Sequence, residues 1–268
     1  DDSFDSLKDN SRSAFVTLGA FPLQEAGLSA NDKWLFGGQT GIDWSLSHQN
    51  TLKASAGFFD YENIRAHPYP SNNQLCGQGY PDSNLSIPQW MQLGNSSAII
   101  CGANDSVLLN RRYGLASNYR IFNINAAYDM AMFAPYHITF AGDFAKNVAY
   151  SSHDVLSARR LGGSGTNDTR EMTNAWQARV DIGWPKIEKF GNWNVFTFYK
   201  YVERDAVLDA YTDSDFHLGG TNAKGWVIGA NYGLLKGVWL TGRWLSTDVI
   251  TGPKYSNDVL QLDVNARF

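Results

Sequence analysis

Long apolar runs are missing from this 268-residue sequence. Charged residues or glycines interrupt every hydrophobic segment well before the ~20 residues that a transmembrane helix requires, which excludes a helical membrane protein. The sequence also lacks a large net charge, because 22 basic residues nearly balance 26 acidic ones. A chain with so little net charge has no large basic surface, so we expect no nucleic-acid partner.

Cysteine is almost absent, since Cys76 and Cys101 are the 2 that occur, and both lie in one irregular polar stretch. A single pair in such a stretch favours a loop-closing disulfide, formed in an oxidising compartment such as the periplasm or the cell exterior. Two unrelated free thiols are the alternative. The 5 histidines show no spacing typical of metal ligands, so we expect neither a metal nor another cofactor.

The abundant pattern is strict alternation of apolar and polar residues, which is clearest between Asp258 and Phe268. A period of two indicates a β-strand, because successive side chains point to opposite faces. In a soluble sandwich the apolar face would meet the core, whereas in an outer-membrane barrel it would meet lipid and the polar face would line the lumen. A chain that stops on the aromatic residue of an amphipathic final strand resembles the assembly signal of bacterial outer-membrane proteins.

The same alternation recurs along the chain and predicts about ten strands and no helix. Pro22 is expected to end the first strand, since proline cannot donate to a ladder. Arg120 has the parity of an apolar face, which suggests a β-bulge or a position at the water interface. The predicted strands are 13–21, 33–46, 51–61, 118–130, 137–149, 174–184, 193–202, 226–233, 238–248 and 258–268.

The lengths of the connections separate the two all-β classes. Counting back from Phe268, every second connection is short (LLKG, PKIEKFGN, FAP and SHQN), and those between them are long or rich in glycine. Outer-membrane barrels have short periplasmic turns and long extracellular loops, whereas a soluble sandwich has no reason to sort its loops. The sequence therefore predicts one domain over residues 1–268, a transmembrane antiparallel up-and-down β-barrel in the bacterial outer membrane.

Aromatic and charged residues occupy opposite faces of these strands. Trp34 and Trp44 share the apolar face, as do Trp176 and Trp184, at spacings of ~20–25 Å that suit two interfacial girdles. Charges of both signs at strand centres are costly against lipid and expected in a wet lumen, where they would select solutes by size and charge. Paired ladders that only stabilise the wall are the other interpretation. The predicted pore-lining residues are Lys53, Asp143, Arg179, Asp181, Lys200, Arg243, Asp263 and Arg267.

One pair of residues could carry catalysis. If Asp215 and His217 lie on a strand, their side chains share a face, and the carboxylate could orient an imidazole base. Outer-membrane proteases of the omptin type combine such a pair with a second acidic pair, which this sequence lacks. A loop histidine bonded within its own turn is the simpler interpretation, and we expect no enzyme.

Two further groups of polar residues are weaker candidates. The isolated pair His153 and Asp154 lies in a stretch without periodicity. An acidic run could bind a hard cation through its oxygens, but a solvated or lumen-facing loop is the simpler interpretation. The run consists of Asp205, Asp209, Asp213 and Asp215.

Several segments resemble the bacterial putative porins of Gram-negative proteobacteria: LGAFPLQE with NDKWLFGGQTGIDW, YGLASNYRIFNINAAYD, TDSDFHLGGTNAKGW with LLKGVWLTGRWLSTD, and VLQLDVNARF. The resemblance implies an outer-membrane porin that is surrounded by lipid, forms a homotrimer and passes small hydrophilic solutes by diffusion. That family has no assigned catalytic residues, so none is transferred. An omptin-like protease that uses Asp215 and His217, and a plugged structural or receptor barrel with binding loops, remain as alternatives.

Such porins have further strands upstream of the LGAF segment, so this chain resembles their C-terminal part. The start at Asp1, with no Met and no signal peptide, suggests a processed chain or a fragment of a longer one. We therefore expect the ten strands to belong to a barrel of ~16, the size at which an open aqueous channel becomes natural. The loop that holds Cys76 and Cys101 could fold inward as a constriction.

Overall fold

A ten-stranded antiparallel sheet makes up most of the chain in the computed structural model, which describes residues 11–26, 30–69, 75–76, 85–105, 110–160 and 170–267. Neighbouring strands in the sheet follow one another along the chain, apart from a separate two-stranded sheet between β3 and β6. The strands are β1 (Arg12–Gln24), β2 (Lys33–Ser47), β3 (Asn50–Glu62), β4 (Ser97–Cys101), β5 (Arg112–Leu115), β6 (Tyr119–Phe133), β7 (Tyr136–Asn147), β8 (Asn174–Gly183), β9 (Trp193–Val202), β10 (Ala223–Leu235), β11 (Val238–Val249) and β12 (Ser256–Ala266).

All ten predicted strands are present, with bounds that differ by a few residues at several ends. β1 continues past Pro22, which pairs with Trp34, so the prediction that proline ends this strand was wrong. β1 is an edge strand, and proline is tolerated there because an N–H on the free side has no ladder partner to lose. The predicted end of the last strand at Phe268 lies outside the described residues.

Arg120 is the second residue of β6, and a β-bulge was one of its two predicted explanations. The register between β3 and β6 runs without a shift from Tyr119 to Met130, so there is no bulge. The guanidinium Nε of Arg120 donates to both carboxylate oxygens of Asp60, at 3.0 and 3.1 Å. An ion pair at the end of a strand explains the charge on an otherwise apolar face.

The prediction of no helix was wrong, and so was the expectation of an unstructured loop before β6. Helix α1 (Ser152–Arg160) follows β7, and the loop contains β4 and β5. These segments show no alternation of apolar and polar residues, because they are buried against one another. Val155 of α1 packs in one cluster with Ala98 and Ile100 of β4. An isolated helix this short is not stable by itself, so its structure depends on that packing.

The two faces of the sheet differ in chemistry. Directly opposed residues of neighbouring strands share a face, and the register places large exposed hydrophobic side chains on one face, which we call the apolar face. The other, which we call the polar face, carries the charged residues at strand centres. The apolar face includes Val16, Leu18, Phe36, Phe58, Ile124, Trp244, Leu260, Leu262 and Val264.

The three longest connections all lie at one end of the sheet, together with the shorter connections 25–32 and 250–255. Residues 48–49, 134–135, 184–192 and 236–237 make the turns at one end, and segments 63–118, 148–173 and 203–222 lie at the other. We call these three long segments the cap. Cys76 and Cys101 within it are joined by a disulfide, as predicted.

The sheet is open in the part of the chain that the structure describes, because β1 and β12 each pair on one side only. β1 is exposed along most of its length on both faces, whereas β12 is exposed mainly on its apolar face. No helix among the described residues has the length and apolarity needed to cross a membrane.

Candidate functional site

The polar face brings together all eight residues that were predicted to line a pore. Cross-strand ladders connect Lys53 with Arg179, Asp143 with Lys200, and Asp181 with Arg243. These ladders are two residues apart along each strand, so they belong to one face. Asp263 is opposite Thr241, two positions from Arg243, and the Arg267 guanidinium lies 5.9 Å from the ring of Trp239 on the same face.

Charges on the polar face are arranged largely as pairs of opposite sign. Lys53 Nζ lies 3.1 Å from an Asp43 carboxylate oxygen. The guanidinium of Arg179 donates to both oxygens of Asp181, at 2.7 and 2.6 Å, and stacks 4.5 Å from the ring centre of Phe196. These pairs are partly exposed, so the geometry is compatible with both sequence interpretations.

A second polar cluster on this face was missed from the sequence. His137 Nδ1 lies 2.7 Å from an Asp129 carboxylate oxygen, and the Thr139 hydroxyl donates to the other oxygen at 2.6 Å. Together with Lys53 and Asp181 these residues line a groove of about 490 Å³ near the turn end of the sheet. Their position in the alternation, on the same face as the predicted lining residues, was the available signal.

Segment 203–222 of the cap folds onto the polar face. Phe216 is 2% exposed and packs with Phe196, Val227 and Leu245 of the strands. Lys200 Nζ lies 4.8 Å from the centre of the Phe216 ring, a favourable cation–π distance. An inward constriction was expected from the loop that holds the cysteines, whereas the contacts with these strands come from the later segment.

Two polar contacts flank Phe216. An Arg243 guanidinium nitrogen donates to Asp215 Oδ2 at 3.1 Å, and His217 Nδ1 lies 2.9 Å from the hydroxyl of Thr247. We call Asp215, Phe216 and His217, which each bind the polar face, the anchor. The anchor ties the middle of segment 203–222 to β9, β10 and β11.

The anchor geometry overturns the premise of the predicted catalytic pair. Asp215 immediately precedes a 3₁₀ turn that contains His217, so neither residue lies on a strand, and His217 and Leu218 have left-handed φ angles of 58° and 61°. The two side chains are therefore engaged separately, Asp215 by Arg243 and His217 by Thr247. The prediction that they share a strand face was wrong.

The acidic run is divided between the interior of the cap and its surface. Asp205 and Asp209 are buried, whereas Asp213 is exposed. Within the described ranges, no three His, Cys, Asp or Glu side chains come together as metal ligands would. In the other weak candidate pair, Asp154 forms an ion pair with Arg65, and the Nδ1 of the exposed His153 lies 3.8 Å from the other Asp154 carboxylate oxygen.

Asp205 is the centre of a buried hydrogen-bond cluster in the cap. Its Oδ1 accepts from the backbone N–H of Ser96 at 2.8 Å and from the hydroxyl of Tyr119 at 3.0 Å. Its Oδ2 accepts from the Ser96 hydroxyl at 2.6 Å. Asn95 extends the cluster by donating to the backbone carbonyl of Arg204 at 2.6 Å. Segment 63–118 is thereby joined to segment 203–222 and to the start of β6.

Burial changes the acidity of two groups in segment 203–222. It raises the pKa of Asp209 above its usual value, although a hydrogen bond from the backbone N–H of Gln92 opposes the change. Burial lowers the pKa of His217 below 6.5, and the nearby Asp248 carboxylate partly opposes this. The neutral imidazole is therefore the form that fits the anchor.

Acidification is expected to loosen the anchor through His217. Burial lowers the pKa of His217 when segment 203–222 is bound to the sheet. As pH falls through about 6.5, His217 of the free segment therefore takes up a proton more readily than His217 of the bound segment. The contribution of His217 to the binding of this segment is therefore fully present above that pH and declines below it. We expect single-channel conductance to rise between about pH 7.5 and pH 5.5, and the rise to be smaller in His217→Gln, whose amide keeps a polar contact to Thr247. An equal rise in the variant would show that other groups cause it.

One of the comparisons with known proteins identifies the family of this chain. A search of curated proteins finds no match for the chain. A family model described as putative porin matches residues 3–268, which is nearly the whole sequence. The resemblance found in the sequence motifs is thus confirmed, and the chain belongs to the putative porin family.

Proposed function

We propose that this chain forms, as one domain, the wall of an outer-membrane porin through which small hydrophilic solutes and ions diffuse. The observation that carries the proposal is the amphipathic ten-stranded sheet, with a continuous apolar face and a polar face of mixed charge. An exposed apolar face of this extent suits lipid, and a charged opposite face suits water. The porin has no catalytic role in this proposal.

The open edges support a wall that continues beyond this chain's ten strands. Among the described residues, β1 and β12 each pair with one neighbouring strand only, so one backbone edge of each, over 13 and 11 residues, has no strand partner there. Bare strand edges of this length are unsuited to a bilayer, where every backbone polar group needs a partner. We propose that further strands complete a barrel of ~16, which assembles as a homotrimer in the outer membrane.

The anchor supports a constricted rather than a wide lumen. Segment 203–222 covers part of the polar face at the level of Lys200 and Arg243 and is fixed there by an aromatic side chain and two polar contacts. Solutes that pass along the face would meet this segment. We propose that it sets the size limit of the pore.

Single-channel conductance of the folded, detergent-extracted protein in a planar bilayer tests the proposal. Stable current steps are expected, with a reversal potential under a salt gradient that reports the charges of the polar face. A verified folded protein that gives no current would contradict diffusion and favour a plugged barrel.

Opposite shifts of ion preference are expected from two neighbouring charge changes. Arg243→Gln removes a cation and also releases Asp215, so it should favour cations, whereas Asp263→Asn should favour anions. A unit charge ~4 Å from an ion in water contributes ~1 kcal/mol, so the permeability ratio should change by roughly fivefold at most. The measurement is the reversal potential under a salt gradient.

Asp258→Asn supplies the matched control for these changes. Asp258 lies opposite Ser246 with the parity of the apolar face, so the same loss of charge there should leave the reversal potential unchanged. If Asp263→Asn and Asp258→Asn behaved alike, the polar face would not be the conduction surface.

A further inference from the structure

A lysine is buried where the cap meets the sheet. Lys33, the first residue of β2, is only 4% exposed. Its ammonium donates to Gln24 Oε1 at 2.8 Å and to the backbone carbonyl of Ile87 at 3.0 Å. A lysine ammonium has three N–H donors, so one remains after these two bonds.

Both acceptors of Lys33 are neutral. In the portion of the chain that the structure describes, no carboxylate lies within ion-pair distance of this ammonium, in contrast to Lys53, which pairs with Asp43. Burying an ammonium without a counter-ion is costly, so buried charges are normally paired. An anionic group supplied from outside would complete the site.

The ammonium borders a recess that opens between β1, β2 and the cap. The enclosed part measures about 40 Å³. About 10–15 Å³ of such space holds one water molecule, so the enclosed part fits a group of a few atoms, such as a carboxylate, but not a whole solute. The rest of a ligand would lie at the rim.

The walls and rim of the recess are apolar and aromatic. Ile64, Leu115 and Leu208 form the apolar wall and belong to one buried cluster. Trp90 and Tyr211 lie at the rim and are 73% and 56% exposed. Large exposed aromatic side chains beside a buried cation suit a ligand with a flat apolar body and one negative group.

One acidic residue also lines the recess, but its carboxylate is already used. Asp209 is 1% exposed, and its Oδ2 accepts from the backbone N–H of Gln92 at 3.1 Å. The backbone N–H of Asp209 donates to Asn95 at 2.8 Å, which fixes the turn. Asp209 therefore belongs to the frame of the recess rather than to the group that would receive the ligand.

We infer that this recess binds small organic carboxylates with an aromatic or similarly flat apolar body, with the carboxylate on Lys33 and the ring against Trp90 and Tyr211. The inference rests on the proposed function in one respect, since it makes the recess a solute-binding site at the loop end of the channel. Chloride and phosphate lack the apolar body and would bind more weakly.

Calorimetric titration of the detergent-solubilised protein tests the site, with benzoate as the probe and benzamide as its uncharged counterpart. Benzoate is expected to bind and benzamide to bind at least roughly tenfold more weakly, the usual loss when a charge-assisted hydrogen bond is removed. Equal binding of the two probes, or no binding of benzoate, would overturn the inference.

Two variants locate the site. Lys33→Gln keeps a donor for Gln24 but removes the charge, and it should weaken benzoate binding by roughly tenfold. Lys236→Gln, the matched control at an exposed lysine in the turn at the opposite end of the sheet, should leave it unchanged. Trp90→Ala removes an exposed ring without touching Lys33, and it should weaken benzoate but not acetate.

Each outcome of these variants is decisive. If Lys33→Gln fails to fold, Trp90→Ala decides, and unchanged benzoate binding in that variant would overturn the site. Binding in detergent does not require ion conduction. Benzoate binding without any channel current would therefore refute the porin proposal and leave the binding site standing. Channel current without benzoate binding would refute the binding site and leave the porin proposal standing.

Discussion

Phe216→Ala is expected to release segment 203–222 from the polar face and to raise single-channel conductance. The ring is almost fully buried against Phe196, Val227 and Leu245, and truncating a buried phenylalanine to alanine typically costs ~3–5 kcal/mol. Loss of the ring also removes the cation–π contact of Lys200. The two remaining polar contacts of the anchor are partly exposed and cannot replace that packing.

Leu218→Ala is the control for this measurement. Leu218 lies two residues away in the same 3₁₀ turn but is 63% exposed, so its truncation removes little buried surface. Conductance should stay at the wild-type level in this variant. If Phe216→Ala behaved like Leu218→Ala in a folded protein, segment 203–222 would not limit the pore.

Asp205→Ala is expected to open the cap locally while the sheet stays folded. The substitution leaves the Ser96 backbone N–H, the Ser96 hydroxyl and the Tyr119 hydroxyl without their acceptor. It also removes the partner 3.5 Å from the Arg204 guanidinium in a buried setting. Breaking a buried charge pair of this kind typically costs ~3–5 kcal/mol.

Hydrogen exchange of peptides covering 93–101 and 203–209 measures this opening, with β11 as the internal reference. Exchange should accelerate in the two cap peptides and not in β11, because regions of one protein open with different free energies. Asp205→Asn keeps one oxygen acceptor but also removes the charge beside Arg204, so its loss of stability should be smaller than that of Asp205→Ala without vanishing. If these two cap peptides of Asp205→Ala exchanged at the wild-type rate, the hydrogen-bond cluster around Asp205 would not be what holds the cap closed.

Alternation predicted the sheet because each strand has two chemically different environments, one on each face. The common face of the eight residues that were predicted to line a pore followed from parity alone, since a period of two assigns a face without knowledge of neighbours. Residues 97–101 of β4 lie within the cap and are almost fully buried on both faces, so they have no alternation to reveal. A short apolar run of this type fits a buried strand and a helix segment equally well.

The anchor could not be predicted from periodicity, because its three residues lie in a turn whose backbone is left-handed at His217. The available signal was the pair Gly219 and Gly220, both with φ of 90°. A side chain at Gly220 would collide with the backbone of Leu93, so the pair marks the place where two cap segments meet. Glycine permits both the close approach and the dihedral angle.

The cap also has a consequence for the order in which the protein folds. Most pairings in the sheet join strands that are adjacent along the chain and form as local hairpins. The bond from Asn95 to Thr221, by contrast, spans 126 residues, and such distant contacts carry the entropy cost of closing a long loop. We therefore expect the cap to assemble only once β9 and β10 have brought residues 203–222 into place, so the cap should be the last part of the fold to form.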